Sequence, residues 1–222
     1  MRHFLSTADW SRDELAGLLE LATDLKADPV RDDLRGKSIA LMFLNPSMRT
    51  RTSFDLGMQQ LGGIAIVLQP GKDAWGVEFE PGAVMEGEAE EHIAEVAGVL
   101  SRYCDLIGIR AFPKFQDWSK DREDSVIRSL AQHASVPVIN METIVHPCQD
   151  LALMQTLRER LGELSDEDLQ ELLGSHPSVD LVHMCGSMAR MDKIVEICNR
   201  RGIILLEDTA QSLGAFYKGR HL

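Results

Sequence analysis

Apolar and polar positions alternate along most of the chain between two kinds of pattern. Four short segments are dominated by apolar residues: Ile39-Ala40-Leu41-Met42-Phe43-Leu44, Ile64-Ala65-Ile66-Val67-Leu68, Asp105-Leu106-Ile107-Gly108-Ile109 and Val136-Pro137-Val138-Ile139-Asn140. Such runs predict strands buried on both faces. Pro137 stands at the start of the last one, where a missing donor matters least. Between them the apolar spacing is helical. Ser11-Arg12-Asp13-Glu14 has the form of a capping box, followed on one face by Leu15, Leu18, Leu19, Ala22 and Leu25, with Pro29 stopping further winding. Phe54, Leu56, Met58 and Leu61 predict a helix beginning near Thr50. Residues 88–102 predict another, with Ile93, Val96, Ala97 and Leu100 inward and acidic residues in its first turn. Residues 119–133 give a fourth, and Pro147 opens a fifth at a favourable first-turn position. Strands alternating with helices imply an α/β fold, a parallel sheet flanked by helices.

Two stretches depart from this alternation. Gln69 to about Gly87, following the break at Gly62-Gly63 and the second strand, is long, polar and glycine-rich and contains Trp75, as a functional loop or a disordered one would be. Beyond Gly162 the pattern restarts. Ser165-Asp166-Glu167-Asp168 begins a short acidic helix, and Ser175-His176-Pro177-Ser178 is a turn. Residues 179–184, 188–201 and 203–206 then form an additional β-α-β unit. The chain therefore divides into 1–162 and 163–222, with no internal repeat or low-complexity tract.

Composition narrows the partners. A net charge of −12 argues against nucleic acid and anionic membranes, which select basic surfaces. No apolar stretch approaches the ~20 residues of a membrane span, and the N-terminus lacks a signal pattern. Cys104, Cys148, Cys185 and Cys198 show no C-x-x-C spacing and read as reduced thiols of a cytoplasmic protein. No cluster has metal-ligand spacing, so no metal is expected.

Within this acidic chain, residues 47–51 are locally basic. A strand feeding a helix through a Ser/Thr/Arg turn makes an anion site, because the first-turn N–H groups have no helical partner and the dipole is positive there. The stretch alone equally fits an ordinary N-cap with two solvated arginines. In open α/β sheets, however, ligands lie outside the carboxyl ends of the strands. That edge gathers Ser47 to Arg51, Arg110 and the segment Glu142 to Gln149.

Ser47-Met48-Arg49-Thr50-Arg51 resembles the Ser-x-Arg-Thr-Arg loop of the aspartate/ornithine transcarbamylase family, and His146-Pro147-Cys148-Gln149 resembles its His-Pro-x-Gln signature. Met48 and the flanking Phe43-Leu44-Asn45-Pro46 look most like the branch acting on N-acetylornithine or N-succinylornithine. The resemblance covers the chain to about Gly162. It implies transfer of a carbamoyl group from carbamoyl phosphate to the side-chain amine of an N-acylornithine, acetyl favoured, in arginine biosynthesis, without a cofactor. By this resemblance Ser47, Met48 (through its backbone), Arg49 and Thr50 cradle the phosphate. Arg110 and His146, assisted by Thr50, polarise the carbonyl, and Gln149 holds the carbamoyl NH₂. The equivalent of Trp75 reaches a neighbouring subunit's site, implying a homotrimer, although a tryptophan in a loop is commonly a simple anchor. Glu142 resembles the position that holds the acylated amino acid. Glu90 resembles the one that separates acetyl from succinyl by repelling the extra carboxylate; a solvated helix start would look the same.

The tail resembles a different family, the pyridoxal phosphate-dependent sugar aminotransferases. The matching residues are Val182-His183-Met184-Cys185-Gly186, Met191-Asp192-Lys193-Ile194 and the run from Leu206 to Ala215. There the equivalent of Asp208 pairs with the pyridine nitrogen and that of Gln211 lies against the cofactor, while the Schiff-base lysine is expected later than Leu222. A transcarbamylase needs a second α/β domain for its amino acid, which this chain is too short to hold. Residues 163–222 therefore read as part of a chimera or truncated fusion. The competing functions are an aminotransferase fragment and a carbamoyl phosphate-binding domain without turnover.

Overall fold

The computed structural model describes residues 1–80, 82–87, 89–113, 116–161, 178–182, 195–196, 198–200, 204–208, 216–217 and 220–221. They fall into two compact units, Met1–Leu157 and Arg158–Leu222.

In the first unit the elements follow in the order α1 (Arg12–Ala27), β1 (Ser38–Phe43), α2 (Met48–Gln60), β2 (Ile64–Leu68), β3 (Val77–Glu78), β4 (Glu91–His92), α3 (Ile93–Tyr103), β5 (Leu106–Arg110), α4 (Trp118–Asp121), α5 (Ser125–His133), β6 (Val138–Glu142) and α6 (Pro147–Leu161). Four strands form a parallel sheet in the order β2-β1-β5-β6. Alternation along β1 assigns its two faces. Met42 packs with Ile93, Val96, Ile107, Ile109, Ile127, Leu130 and Val138 in one core. Ile39, Leu41 and Phe43 pack with Met58 and Met141 in the other. Gly108 of β5 lets these layers close: a Cβ there would lie 2.9 Å from Met141 Sδ and 3.1 Å from Leu41 Cδ2.

Several boundaries differ from the sequence expectation. The helix expected near Thr50 starts at Met48, because Ser47 supplies the cap. The segment 64–68 is an edge strand, so Ile64 and Ile66 stay exposed rather than buried. The helix expected from 88 begins only at Ile93. Glu91 and His92 instead pair in parallel with Val77 and Glu78, inside what the sequence presented as one irregular loop and the helix after it. His92 then caps α3, its Nδ1 accepting from Ala94 N at 3.2 Å. The helix expected over 119–133 is broken at Asp124, whose φ of 50° is left-handed. The strand expected over 136–140 is shifted to Val138–Glu142.

In the second unit β7 (Ser178–Val182) pairs in parallel with β8 (Ile204–Asp208), and β9 (Phe216–Tyr217) pairs antiparallel with β10 (Arg220–His221). Residues 195–196 and 198–200 are helical. The acidic helix expected from Ser165, the segments 183–186 and 191–194, and Gln211 lie outside the described residues.

Candidate active site

β1 and β5 stay hydrogen-bonded past the end of β1, where Leu44 N donates to Arg110 O at 3.0 Å. Asn45 Oδ1 then accepts from Phe112 N at 2.7 Å, tying the two strand exits together just before the chain turns into α2. Ser47, extended at φ −151° and ψ 128°, caps that helix, its side chain accepting from Thr50 N at 3.2 Å. The N-terminus of α2 therefore opens at the carboxyl edge of the sheet, with its positive end toward the space beyond the strands. Met48 is 83% exposed, which rules out a core role for its side chain.

Arg110 ends β5 and is only 7% exposed. Its Nη1 donates to Glu142 Oε2 in a close ion pair, and its guanidinium carbon sits 4.6 Å from the centre of the Phe112 ring. Its Nε is buried without a hydrogen-bond partner among the described residues. Burial, and next the positive charge of Arg49, push the Arg110 pKa down from its ordinary value. Arg49 stands on the first turn of α2, whose N-terminus opens at the same edge of the sheet where Arg110 ends β5. Cations that repel one another in a partly buried place favour an anion between them.

The third part of the site follows β6. The β5–β6 register slips between Ile109 and Arg110, so that Arg110 faces Glu142 and Met141 is passed over. This irregularity re-aims the strand end. Glu142 adopts a φ of 137°, a conformation costing about 1–3 kcal/mol in an L-residue. A polar network holds it there. Glu142 N donates to Asn140 Oδ1 at 2.9 Å, and Asn140 Nδ2 donates to Leu5 O and to Thr143 Oγ1, each at 2.9 Å. Thr143 Oγ1 in turn donates to Asp124 Oδ2 at 2.5 Å. His146 Nε2 lies 3.8 Å from Glu142 Oε2. The His146 carbonyl accepts from Gln149 N at 2.9 Å and Asp150 N at 3.0 Å, starting α6. Beside them, burial followed by the charge of Asp150 pushes the Cys148 thiol up to about 11. It stays protonated at neutral pH and is unfit as a nucleophile.

Ser47, Arg49, Thr50, Arg110, Glu142, His146 and Gln149 thus stand on the exits of three adjacent parallel strands. Trp75 and Glu90 make a second group. Trp75 is 65% exposed, and the next residue, Gly76, donates its N–H to Glu90 Oε2 at 3.2 Å. Glu90 therefore braces the tryptophan turn and precedes β4, instead of opening a helix. Asn45, Asn140, Thr143 and Asp124 were not marked by the sequence patterns. Only Asn140, a polar residue in an apolar run, carried a signal there; it is fully buried. Among the described residues no group of three His, Cys, Asp or Glu could hold a metal ion. No described helix is long and apolar enough to cross a membrane.

Residues 2–159 match the family model of the aspartate/ornithine carbamoyltransferase carbamoyl-P binding domain, and residues 176–222 match that of the DegT/DnrJ/EryC1/StrS aminotransferase family. The chain is 65% identical over 162 residues to an N-acetylornithine carbamoyltransferase of Xanthomonas campestris pv. campestris, covering 73% of this chain and 48% of the relative. An N-acetylornithine carbamoyltransferase of Xylella fastidiosa (strain Temecula1) is 61% identical over 162 residues, with the same two coverages of 73% and 48%. The chain spans about half the length of the curated relatives it matches. A crystal structure of acetylornithine transcarbamylase complexed with acetylcitrulline matches with a TM-score of 0.75 and 47% identity, over 97% of this chain and 73% of that one.

Proposed function

The chain belongs to the aspartate/ornithine carbamoyltransferase family, and on that premise we propose that it transfers the carbamoyl group of carbamoyl phosphate to the side-chain amine of an N-acylornithine, acetyl favoured. The observation that carries this reading is the gathering of Ser47, Arg49, Thr50, Arg110, His146 and Gln149 at the exits of three adjacent parallel strands, beside the capped N-terminus of α2. Two arginines beside a helix N-terminus suit the phosphate of carbamoyl phosphate, a mixed anhydride.

In this reading Ser47, the Met48 backbone, Arg49 and Thr50 hold the phosphate. Arg110 and His146, with Thr50, face the carbonyl oxygen, and Gln149 holds the carbamoyl NH₂. The amine attacks the carbonyl carbon directly. The carbonyl oxygen gains negative charge, the carbon–oxygen bond to phosphate breaks, phosphate leaves with the bonding pair, and the amine loses a proton. Donors aimed at the developing charge each contribute about 3–4 kcal/mol in comparable sites. The raised Cys148 thiol supports direct attack over a covalent intermediate.

Glu142 takes part in holding the acylated amino acid, and Glu90 sets acetyl over succinyl. Trp75, exposed on a braced turn, serves a neighbouring subunit's site in a homotrimer. Cytoplasmic location and a place in arginine biosynthesis complete the proposal. Relatives named N-acetylornithine carbamoyltransferase support the acetyl preference. A transfer assay with labelled carbamoyl phosphate and N-acetylornithine, N-succinylornithine or ornithine tests it. Product from N-acetylornithine in excess of the others is expected. Ligand binding with no product from any of them would leave a carbamoyl phosphate-binding domain without turnover.

The aminotransferase match of residues 176–222 favours a second reading for the tail, a partial pyridoxal phosphate-binding segment, with Asp208 closing β8. Saturable binding of pyridoxal phosphate without a borohydride-trapped lysine adduct would support it.

A further inference from the structure

Glu142 Oε2 accepts from Arg110 Nη1 and lies 3.8 Å from His146 Nε2. These two side chains are the ones assigned above to the carbonyl oxygen of carbamoyl phosphate. We propose that the Glu142 carboxylate is an internal stand-in for that oxygen, holding Arg110 and His146 in the unliganded site and leaving when carbamoyl phosphate enters. The inference rests on the carbamoyl phosphate reading and adds a positioning role for Glu142 that precedes substrate.

Three features support it. Arg110 is almost fully buried, so its charge requires an anion whenever no ligand is bound. Glu142, only 29% exposed at its side chain, is the described carboxylate that meets this need. The carbamoyl carbonyl oxygen and the Glu142 carboxylate oxygen call on the same donors, and a single oxygen position admits only one of them. Finally, Glu142 sits at a φ of 137° next to a register slip, braced through Asn140, Thr143 and Asp124. Strain of this kind is relieved if the residue leaves the conformation, which lowers the cost of displacing its side chain.

Glu142→Gln separates displacement from simple support. Calorimetric titrations of the full 222-residue chain, wild type and variant, use carbamoyl phosphate and, separately, inorganic phosphate. If the carboxylate must leave, removing its charge tightens carbamoyl phosphate by about tenfold. Inorganic phosphate, which brings no carbonyl oxygen, gains clearly less. The unliganded variant also melts at a lower temperature than wild type, because Arg110 has lost its counter-ion. Should Glu142→Gln not fold, Glu142→Asp, with its carboxylate drawn back by one methylene, is expected to shift affinity in the same direction by less. Unchanged or weakened carbamoyl phosphate binding overturns the inference. Equal gains for both ligands do so as well, since they report a general charge effect. Absence of binding to wild type and variants alike removes the carbamoyl phosphate reading, and this inference with it.

Discussion

Arg49 and Arg110 show how differently two arginines of one site depend on their surroundings. Arg49 is exposed on the first turn of α2, whereas Arg110 is buried and already paired. If Arg49 forks onto phosphate, lysine keeps the charge but loses the planar two-point geometry. Lost charged hydrogen bonds are worth roughly 1.5–3 kcal/mol each, so Arg49→Lys is expected to weaken carbamoyl phosphate binding at least about tenfold. Arg128→Lys, at an exposed position of the otherwise half-buried α5, should change little, and equal calorimetric affinities for Arg49→Lys and wild type would remove Arg49 from the site. Asp124 acts one step further back. Burial raises its carboxyl pKa above the usual 3.8, against the opposing hydrogen bond from Thr143. A raised pKa means the folded state holds the proton more tightly than the unfolded one. Ionised Asp124 therefore lowers stability at neutral pH, and this loss is recovered as pH falls through the folded-state value toward the unfolded one. Asp124→Asn keeps an acceptor for Thr143 without the charge. Urea melts should show equal or higher stability at neutral pH and a flatter dependence on mild acidification. A steeper dependence would contradict the assignment. Arg110 and His146 were legible in the sequence because they end apolar runs or sit in a motif. Asn45, Thr143 and Asp124 were not, since each acts through partners 67, 19 and 19 positions away.

At the scale of elements, two helices are capped alike but only one points at the site. Ser11 and Glu14 cap α1 reciprocally, and Ser47 caps α2. Either Ser→Ala change should cost about 1 kcal/mol of stability in denaturant melts. Only Ser47→Ala should also weaken carbamoyl phosphate; a matching loss in Ser11→Ala would mean that helix stability alone, not the N-terminus of α2, governs binding. In β5, Gly108→Ala would push a methyl group against Met141 and Leu41. Overpacking of this kind costs about 1–3 kcal/mol, so its unfolding midpoint should fall accordingly, and an unchanged midpoint would show that β6 yields freely there. The strands and the parallel order could be anticipated because period and apolar runs report burial directly. Pairing of Glu91-His92 with Val77-Glu78 could not: two-residue strands leave no periodicity, and their register is set by neighbours distant in sequence. The break at Asp124 was equally hidden, because helix propensity on both sides is ordinary and the left-handed residue is fixed by its link to Thr143.

For the whole molecule, the proposed anion site lies in a chain of net charge −12. The surrounding acidic field opposes an incoming phosphate, so the site depends on charges focused at one edge of the sheet. The chain also joins two units that match different families, one over residues 2–159 and one over 176–222. The sequence shows a change of motif near Gly162, visible because each family's motif is a short contiguous run of residues. The measurement that tests the account most directly is a thermal unfolding titration of the 222-residue chain with carbamoyl phosphate, run beside pyridoxal phosphate at fixed ionic strength. The account predicts saturable stabilisation by carbamoyl phosphate, about 2.7 kcal/mol at a hundred times Kd, and none by pyridoxal phosphate. Stabilisation by pyridoxal phosphate with no response to carbamoyl phosphate would contradict it.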